Sequence, residues 1–305
     1  MLFSTVFLIS LSVISLSGIA ESAQNVKTCY TCASEAWQKK WILSGFLKLD
    51  AKQYNNYCSD VTCAAFSGTD QENCKKWVTD SATTSCTGAC VTYMRTFETG
   101  VPEFIRGCHP HLTGLSSWRV EQEFCEYGKD MQINSSPEET PAEATSYLHF
   151  CITDTCNKNT AKSKDEVTTL GSSCQGNPKR PSKQEITKCV QCAPQDSNCK
   201  STDDDSKNAC SGKANWCRKV KVDFGSDNVY QKSCAAVNIY GDTICKRIDQ
   251  TMKVTTFPLP SPLDLTQEQC YCGEDDCNGS GGLHMSALLI AGAASFLYLI
   301  KAWLL

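Results

Sequence analysis

The sequences KCVQC at residues 188–192 and CYCGEDDCN at residues 270–278 bound a run of ten cysteines whose spacing decides the fold. Between Cys189 and Cys277 the successive gaps are 2, 6, 10, 6, 16, 10, 24, 1 and 4 residues. The whole chain has 22 cysteines among 305 residues. This density indicates a disulfide scaffold formed in an oxidising compartment, because short segments of this kind bury too little apolar surface to fold without cross-links.

The first twenty residues predict a secretory signal peptide. Residues 2–19 are apolar or small and carry no charge. Gly18 and Ala20 are the small residues three and one before a cut, so we expect cleavage after Ala20. Cleavage after Ser22, or retention of the segment as an N-terminal anchor, are the alternatives. A signal peptide agrees with the oxidising compartment that the cysteines require.

The C-terminus predicts a glycosylphosphatidylinositol (GPI) anchor. Small residues and a short spacer precede an apolar run from Leu283 to Leu305, which is the pattern that directs lipid attachment. Asn278 is the expected attachment residue, with Gly279 and Ser280 as alternatives, and 279–305 is the expected propeptide. A single membrane-spanning helix over the same run is the competing interpretation. Either interpretation places the functional part of the chain outside the cell.

The remaining chain contains two similar units. Each unit opens with C-x-x-C and closes with C-x4-C-N, first at 29–32 and 151–157, and again at 189–192 and 272–278. The polar segment between them contains glycine and proline, a composition typical of a linker. The expected boundaries are 1–20 for the signal peptide, 21–157 for domain 1, 158–188 for the linker, 189–278 for domain 2 and 279–305 for the propeptide.

Apolar residues alternate with polar ones in a way that predicts β-hairpins in both units. Residues 219–224 alternate between charged and apolar side chains, and 225–228 have the composition of a four-residue turn before the returning strand. In unit one, residues 91–97 precede Gly100, and 104–105 return. Each hairpin therefore lies between two cysteines: Cys217 and Cys234 in unit two, and Cys90 and Cys108 in unit one.

The first loop of unit one is enlarged. It spans 25 residues between Cys32 and Cys58, against six in the equivalent loop of unit two. Trp37 and Trp41 are four residues apart, as on one face of a helix. One hypothesis is an aromatic fingertip, including Phe46, that docks on a partner. The other, which we favour, is a helical insertion folded onto its own domain or onto unit two.

Both units resemble the three-finger fold of the lymphocyte-antigen/urokinase-receptor (LU) superfamily. The resemblance is carried by the two openings, the two closings and the six-residue gap between Cys210 and Cys217. It implies an all-β, disulfide-rich fold of two tandem three-finger domains, the first with an enlarged, helical first loop. It also implies that Asn157 and Asn278 pack at the base of the fingers. For unit two it implies the pairs Cys189–Cys217, Cys192–Cys199, Cys210–Cys234, Cys245–Cys270 and Cys272–Cys277.

Unit one departs from the pattern of the family. Phe150 stands where a cysteine is expected, so Cys125 lacks its usual partner, and Cys174 in the linker is also left over. We therefore expect a Cys125–Cys174 bridge. Cys29–Cys90 and Cys151–Cys156 follow the pattern, and Cys86–Cys108 is a first guess. The partners of Cys32, Cys58, Cys63 and Cys74 stay open at this point.

Catalytic and metal chemistry are not expected, and no cofactor is implied. The sequence His109-Pro110-His111 beside Cys108 could suggest a metal site, but zinc needs three or four ligands with thiolates free to bind. No nucleophile or phosphate-loop motif is visible. A net charge of −4 argues against a nucleic-acid partner. Asn134 begins a glycosylation sequon in a polar loop.

The resemblance implies a binding protein rather than an enzyme. The leading hypothesis is a GPI-anchored cell-surface module, held on the outer leaflet of the plasma membrane, that modulates a membrane receptor or ion channel subunit in the same membrane. The alternative is a receptor or inhibitor for a soluble extracellular protein, such as a protease, a phospholipase or a signalling ligand. Both hypotheses rest on the fold and the anchor and not on an identified site.

Overall fold

Strands dominate the computed structural model, which describes residues 27–97, 100–115, 122–131, 142–180, 185–192, 199, 207–224, 227–252 and 263–279. The strands are β1 (Lys27–Tyr30), β2 (Cys32–Ala33), β3 (Thr83–Cys86), β4 (Cys90–Thr96), β5 (Glu103–Cys108), β6 (Phe124–Met131), β7 (Glu143–Cys151), β8 (Ile186–Val190), β9 (Lys207–Ala214), β10 (Trp216–Phe224), β11 (Asp227–Ala235), β12 (Ile244–Met252) and β13 (Leu263–Cys272). The helices are α1 (Trp37–Lys40), α2 (Gly68–Ser81), α3 (His109–Thr113) and α4 (Lys164–Ser172), with 3₁₀ turns at Trp41–Ser44, Ala51–Gln53 and Asn56–Ser59.

Each unit is built around one antiparallel sheet. Unit one carries five strands in the order β2-β5-β4-β7-β6, and unit two carries four in the order β11-β10-β13-β12. The pairs β1–β3 and β8–β9 form two small additional sheets. All 22 cysteines are paired. The expectation of an all-β, disulfide-rich fold is confirmed.

Both predicted hairpins are present. In unit one β4 and β5 pair from Cys90↔Cys108 to Arg95↔Glu103. In unit two β10 and β11 pair from Trp216↔Ala235 to Phe224↔Asp227. The expected four-residue turn at 225–228 is wrong in length, because Asp227 and Asn228 already pair with β10. The residues between the two strands, 225–226, lie outside the described residues.

The disulfides gather at one end of each sheet. In unit two Cys217 lies opposite both Cys234 and Cys272 in the strand register. In unit one Cys90 lies opposite both Cys108 and Cys151. The cross-links therefore fix the base of each sheet, while the connections at the other end are the loops between strands.

The unit-one sheet is covered on both faces. Tyr93, Ile105 and Leu148 belong to one buried cluster, and their strand neighbours Met94 and Phe104 belong to another. Successive side chains along a strand point to opposite faces, so these are the two faces of the sheet. Unit two and the first part of the enlarged loop cover the first face, and the 3₁₀ turn Asn56–Ser59 together with α4 covers the second.

The segment expected as a linker is partly folded onto unit one. Ser163 caps α4 by accepting a hydrogen bond from the Glu166 N–H at 3.3 Å. Val167 is fully buried, and a Cβ on Gly171 would overlap the ring of Tyr127 on β6. Composition alone indicated a linker because the helix buries only a narrow stripe of small and apolar residues against the sheet.

Candidate functional site

The two large sheets face each other across a buried surface, which we call the seam. Tyr93 and Leu148 of unit one and Trp216 and Tyr271 of unit two belong to the same cluster of buried apolar residues. Their burial depends on the opposite unit as well as on their own. The two units therefore share one core along the seam.

The seam contains the three aromatic residues that were candidates for partner binding. Trp37 and Phe46 are fully buried and Trp41 is 3% exposed. The guanidinium of Arg95 lies 4.1 Å from the ring centroid of Trp37. The hypothesis of an aromatic fingertip is wrong for these residues, because the enlarged loop folds back and places all three in the cluster that unit two helps to cover.

Unit one binds a short segment of unit two, residues 236–241, through Glu126, His109 and Gly45, and we call this contact the clasp. The Asn238 N–H donates to the Glu126 carboxylate at 2.7 Å. The next residue, Ile239, accepts at its carbonyl oxygen a hydrogen bond from His109 Nε2–H at 3.1 Å. The Tyr240 hydroxyl donates to the Gly45 carbonyl oxygen at 3.2 Å. Three consecutive residues of unit two are therefore bound by three separate elements of unit one.

The clasp contains two buried ionisable groups with opposite pKa shifts. Glu126 is 1% exposed, and its other carboxylate oxygen accepts from the Trp216 indole N–H at 2.7 Å. Burial raises the pKa of Glu126 to about 7, against the lowering effect of these two hydrogen bonds. Burial also lowers the pKa of His109 to about 3. Both shifts arise because burial penalises the charged form of each group.

A second ionic contact crosses the seam farther along β6. Arg218 of unit two lies 3.4 Å from Asp130 of unit one, and both side chains are more than nine-tenths buried. Arg218 also donates to the Met131 carbonyl oxygen and to the Ser233 hydroxyl. Burial raises the pKa of Asp130, whereas Arg218 and Arg95 oppose that rise. Removing one partner of such a pair would leave an uncompensated buried charge.

On the opposite side of unit one, three aromatic side chains lie together, one on α2 and two in the chain that precedes it. Tyr57 contacts Phe66 edge-on, with ring centroids 5.1 Å apart, and lies 6.1 Å from Trp77 on the helix. All three are half-buried, so each ring keeps an accessible part. Trp77 packs beside the cluster on the sheet face that unit two does not cover. We call Tyr57, Phe66 and Trp77 the aromatic surface.

The aromatic surface rests on a rigid support. The disulfide Cys63–Cys74 ties α2 to the preceding turn. In that turn the Asp60 carboxylate accepts from the backbone N–H groups of Thr62 at 3.0 Å and Ala65 at 2.6 Å. Hydrogen bonds to the ionised form lower the pKa of Asp60 against the effect of burial. At neutral pH the ionised Asp60 carboxylate therefore stabilises this turn through both hydrogen bonds.

An open groove of about 460 Å³ lies between β6, β7 and the end of α4. In it His149 Nε2–H donates to Glu123 at 2.7 Å, and His149 Nδ1 accepts from Asn159 at 3.2 Å. Ser173 lines the same groove but donates to the Leu170 carbonyl oxygen. Both ring nitrogens of His149 are thus engaged by other residues, and among the described residues that line the groove no serine makes the hydrogen bond to His149 that would activate a nucleophile.

The expected cysteine pairs are all present in the structure. The structure joins Cys125 of β6 to Cys174 beyond α4, and Phe150, in the place of the missing family cysteine, stacks on Phe124 with ring centroids 4.7 Å apart. The other expected pairs present are Cys189–Cys217, Cys192–Cys199, Cys210–Cys234, Cys245–Cys270, Cys272–Cys277, Cys29–Cys90, Cys151–Cys156 and Cys86–Cys108. The four cysteines left open form Cys32–Cys58 and Cys63–Cys74.

The expected attachment residue is buried in the base of unit two. Asn278 is 1% exposed, and its side chain bonds Val190 and Arg218. Gly279 follows it as the last residue described, while Ser280 and the glycosylation candidate Asn134 lie outside the described residues. Within the described part of the chain, no helix has the length and apolar character to cross a membrane.

Metal binding has little support in the described residues. His109 faces a backbone carbonyl oxygen of unit two, so it does not form a ligand pair with His111. Two groups of three ligand atoms lie within 4.8 Å of one another: Cys189, Cys210 and Cys234, and Cys245, Glu268 and Cys270. Every cysteine in these groups is disulfide-bonded and offers no thiolate to an ion.

No protein-family model matches the chain. No curated protein matches it either.

Sequence reasoning missed both the clasp and the aromatic surface. Glu126 and Asp130 occur in a strand whose alternate positions are buried, but a charged residue at such a position is normally assigned to the solvent face. Trp77 and Phe66 stand near Cys63 and Cys74, and the eleven-residue separation of this pair was the available signal of a stapled helix.

Proposed function

We propose that this chain is a cell-surface protein-binding module whose aromatic surface contacts the partner. The observation that carries the proposal is the cluster of Tyr57, Phe66 and Trp77, whose partly exposed rings lie together at the disulfide-linked helix α2. Binding hot spots are enriched in Trp and Tyr, and such rings bind with little loss of side-chain entropy when their support is already rigid.

The LU superfamily remains our proposal for the family of both units. Hydrogen bonds at the base of each sheet support this proposal. Asn157 and Asn278 make equivalent hydrogen bonds to the opening strand of their units. The pairing Cys189–Cys217, which the resemblance implies, also agrees with it.

Attachment by a GPI anchor completes the proposal and rests on the apolar run from Leu283 to Leu305. A protein held in this way reaches partners in its own membrane by lateral diffusion. We therefore propose a membrane receptor or ion channel subunit as the partner, with a soluble protein ligand as the alternative outcome of the test.

The test is capture of the partner on living cells that express the protein. Surface proteins are crosslinked, the chain is released with phosphatidylinositol-specific phospholipase C, and co-released proteins are identified. The same capture is repeated with Trp77→Ala and, as a control on the same helix, Lys75→Ala, with surface display measured for each variant. We expect recovery of a membrane protein that falls at least about tenfold with Trp77→Ala and is unchanged with Lys75→Ala.

Three results would contradict parts of this proposal. Equal recovery with Trp77→Ala would exclude the aromatic surface as the contact. Recovery of a soluble protein alone would move the function to ligand receptor or inhibitor. Failure of the phospholipase to release the chain, with its C-terminal peptides still detectable by mass, would exclude the lipid anchor.

A further inference from the structure

The clasp brings a buried carboxyl and a buried imidazole to adjacent residues of unit two. Glu126 binds the N–H of Asn238, and His109 binds the carbonyl oxygen of Ile239. Glu126 lies on β6, whereas His109 begins α3. His109 is fully buried and Glu126 is nearly so. A change of charge on either group would therefore affect how unit one binds residues 236–241.

We propose that the clasp is a pH-compensated contact between the two units. When the pH falls, proton uptake by Glu126 removes a buried charge, and proton uptake by His109 creates one. The two events act on neighbouring residues of the same segment with opposite effects on the closed seam. The seam therefore stays closed over a range of mildly acidic pH. With only one of the two groups, the stability of the closed seam would vary with pH over that range.

The pH range follows from the direction of each shift. The pKa of Glu126 is raised from 4.5 to about 7, so its contribution to stability is complete below pH 4.5 and is lost as the pH rises through about 7. The pKa of His109 is lowered from 6.5 to about 3, so its contribution is complete above pH 6.5 and is lost as the pH falls through about 3. Between about pH 4.5 and 6.5 the two dependences cancel.

Two other charged groups face Glu126 and change its pKa. Arg180 lowers its pKa and Asp130 raises it. Asp130 is in turn held between Arg218 and Arg95. These groups are retained in every variant compared below.

The experiment measures unfolding of the disulfide-intact full chain by denaturant at intervals from pH 4.5 to 7. In Glu126→Gln only the histidine remains, so the variant loses stability relative to wild type as the pH falls from 6.5 to 4.5. In His109→Gln only the carboxyl remains, so that variant loses relative stability as the pH rises over the same range. Each change approaches tenfold in the unfolding equilibrium constant per pH unit. Glu72→Gln, at an exposed position on α2, is the control and should follow wild type at every pH.

The opposite slopes of the two variants are the expected result, and two parallel profiles would overturn the proposal. A second measurement on the wild type serves if either variant fails to fold. In NMR spectra the Trp216 indole N–H, which donates to Glu126, should shift with a midpoint near pH 7, and His109 should not titrate above pH 5. An indole resonance that is constant from pH 5 to 8, or a His109 that titrates near 6.5, would overturn the proposal.

Discussion

At the scale of single residues, two asparagines join the opening and closing motifs of the units. Asn157 accepts from the Tyr30 N–H at 3.0 Å and donates to the Tyr30 carbonyl oxygen at 2.8 Å. Asn278 makes the same two contacts with Val190, at 3.0 and 2.9 Å. Each side chain thus makes the two backbone hydrogen bonds that a neighbouring strand would otherwise make. This explains why both closing motifs end in C-N.

Gly45 provides a residue-level test of the seam. It adopts φ +75°, and a Cβ there would overlap the Gln269 side chain and lie 2.7 Å from Ile239 Cδ1. Gly45→Ala should therefore combine the cost of a left-handed alanine with overpacking of the seam, about 2–4 kcal/mol in all. Urea unfolding of the full chain measures the loss.

Gly176 is the matched control for that substitution. It has a similar φ of +78°, but nothing lies within 4 Å of the Cβ position. Gly176→Ala should lower the free energy of unfolding only by the cost of a left-handed alanine, about 1–2 kcal/mol. Equal losses for the two alanine variants would show that Gly45 does not contact unit two as described.

At the scale of elements, α4 depends on the Cys125–Cys174 bridge. The bridge closes a loop of 49 residues, and the helix buries few side chains besides Val167. Removal of both sulfurs by Cys125→Ser with Cys174→Ser should weaken this local structure by about 2–4 kcal/mol. Hydrogen exchange should then show faster exchange in α4 amides, with the β4 and β7 amides unchanged.

A second disulfide variant serves as the control for α4. Cys245→Ser with Cys270→Ser opens a bridge between β12 and β13 in unit two. Protection of the α4 amides should be the same as in the wild type. Equal protection of α4 in both variants would show that the Cys125–Cys174 bridge does not hold the helix.

The elements also show how far the sequence could predict this structure. The hairpins and the cysteine framework follow from alternation and spacing, which are local signals. Helix α2 was not expected, because Cys74 is its only buried residue and its pattern lacks an apolar stripe. The burial of Trp37 and Trp41 was only a favoured alternative, because their burial depends on residues of unit two some 180 positions away in the sequence.

At the scale of the whole molecule, the seam means that the two repeated units are not independent. The sequence contains two similar units, but Trp216 and Tyr271 of unit two are buried in a cluster shared with unit one. The ion pair between Asp130 and Arg218 crosses the seam and would be broken if the units separated. The two units should therefore present any partner with a single rigid surface rather than two independent ones.

The measurement that tests this central claim most directly is equilibrium unfolding of the disulfide-intact chain followed by two probes at once. Exchange of the Val220 amide on β10 reports on unit two, and exchange of the Leu148 amide on β7 reports on unit one. We predict one cooperative transition with coincident midpoints, and a shift of both midpoints when Gly45→Ala disturbs the seam. Two separate transitions, with only one moved by Gly45→Ala, would contradict the account.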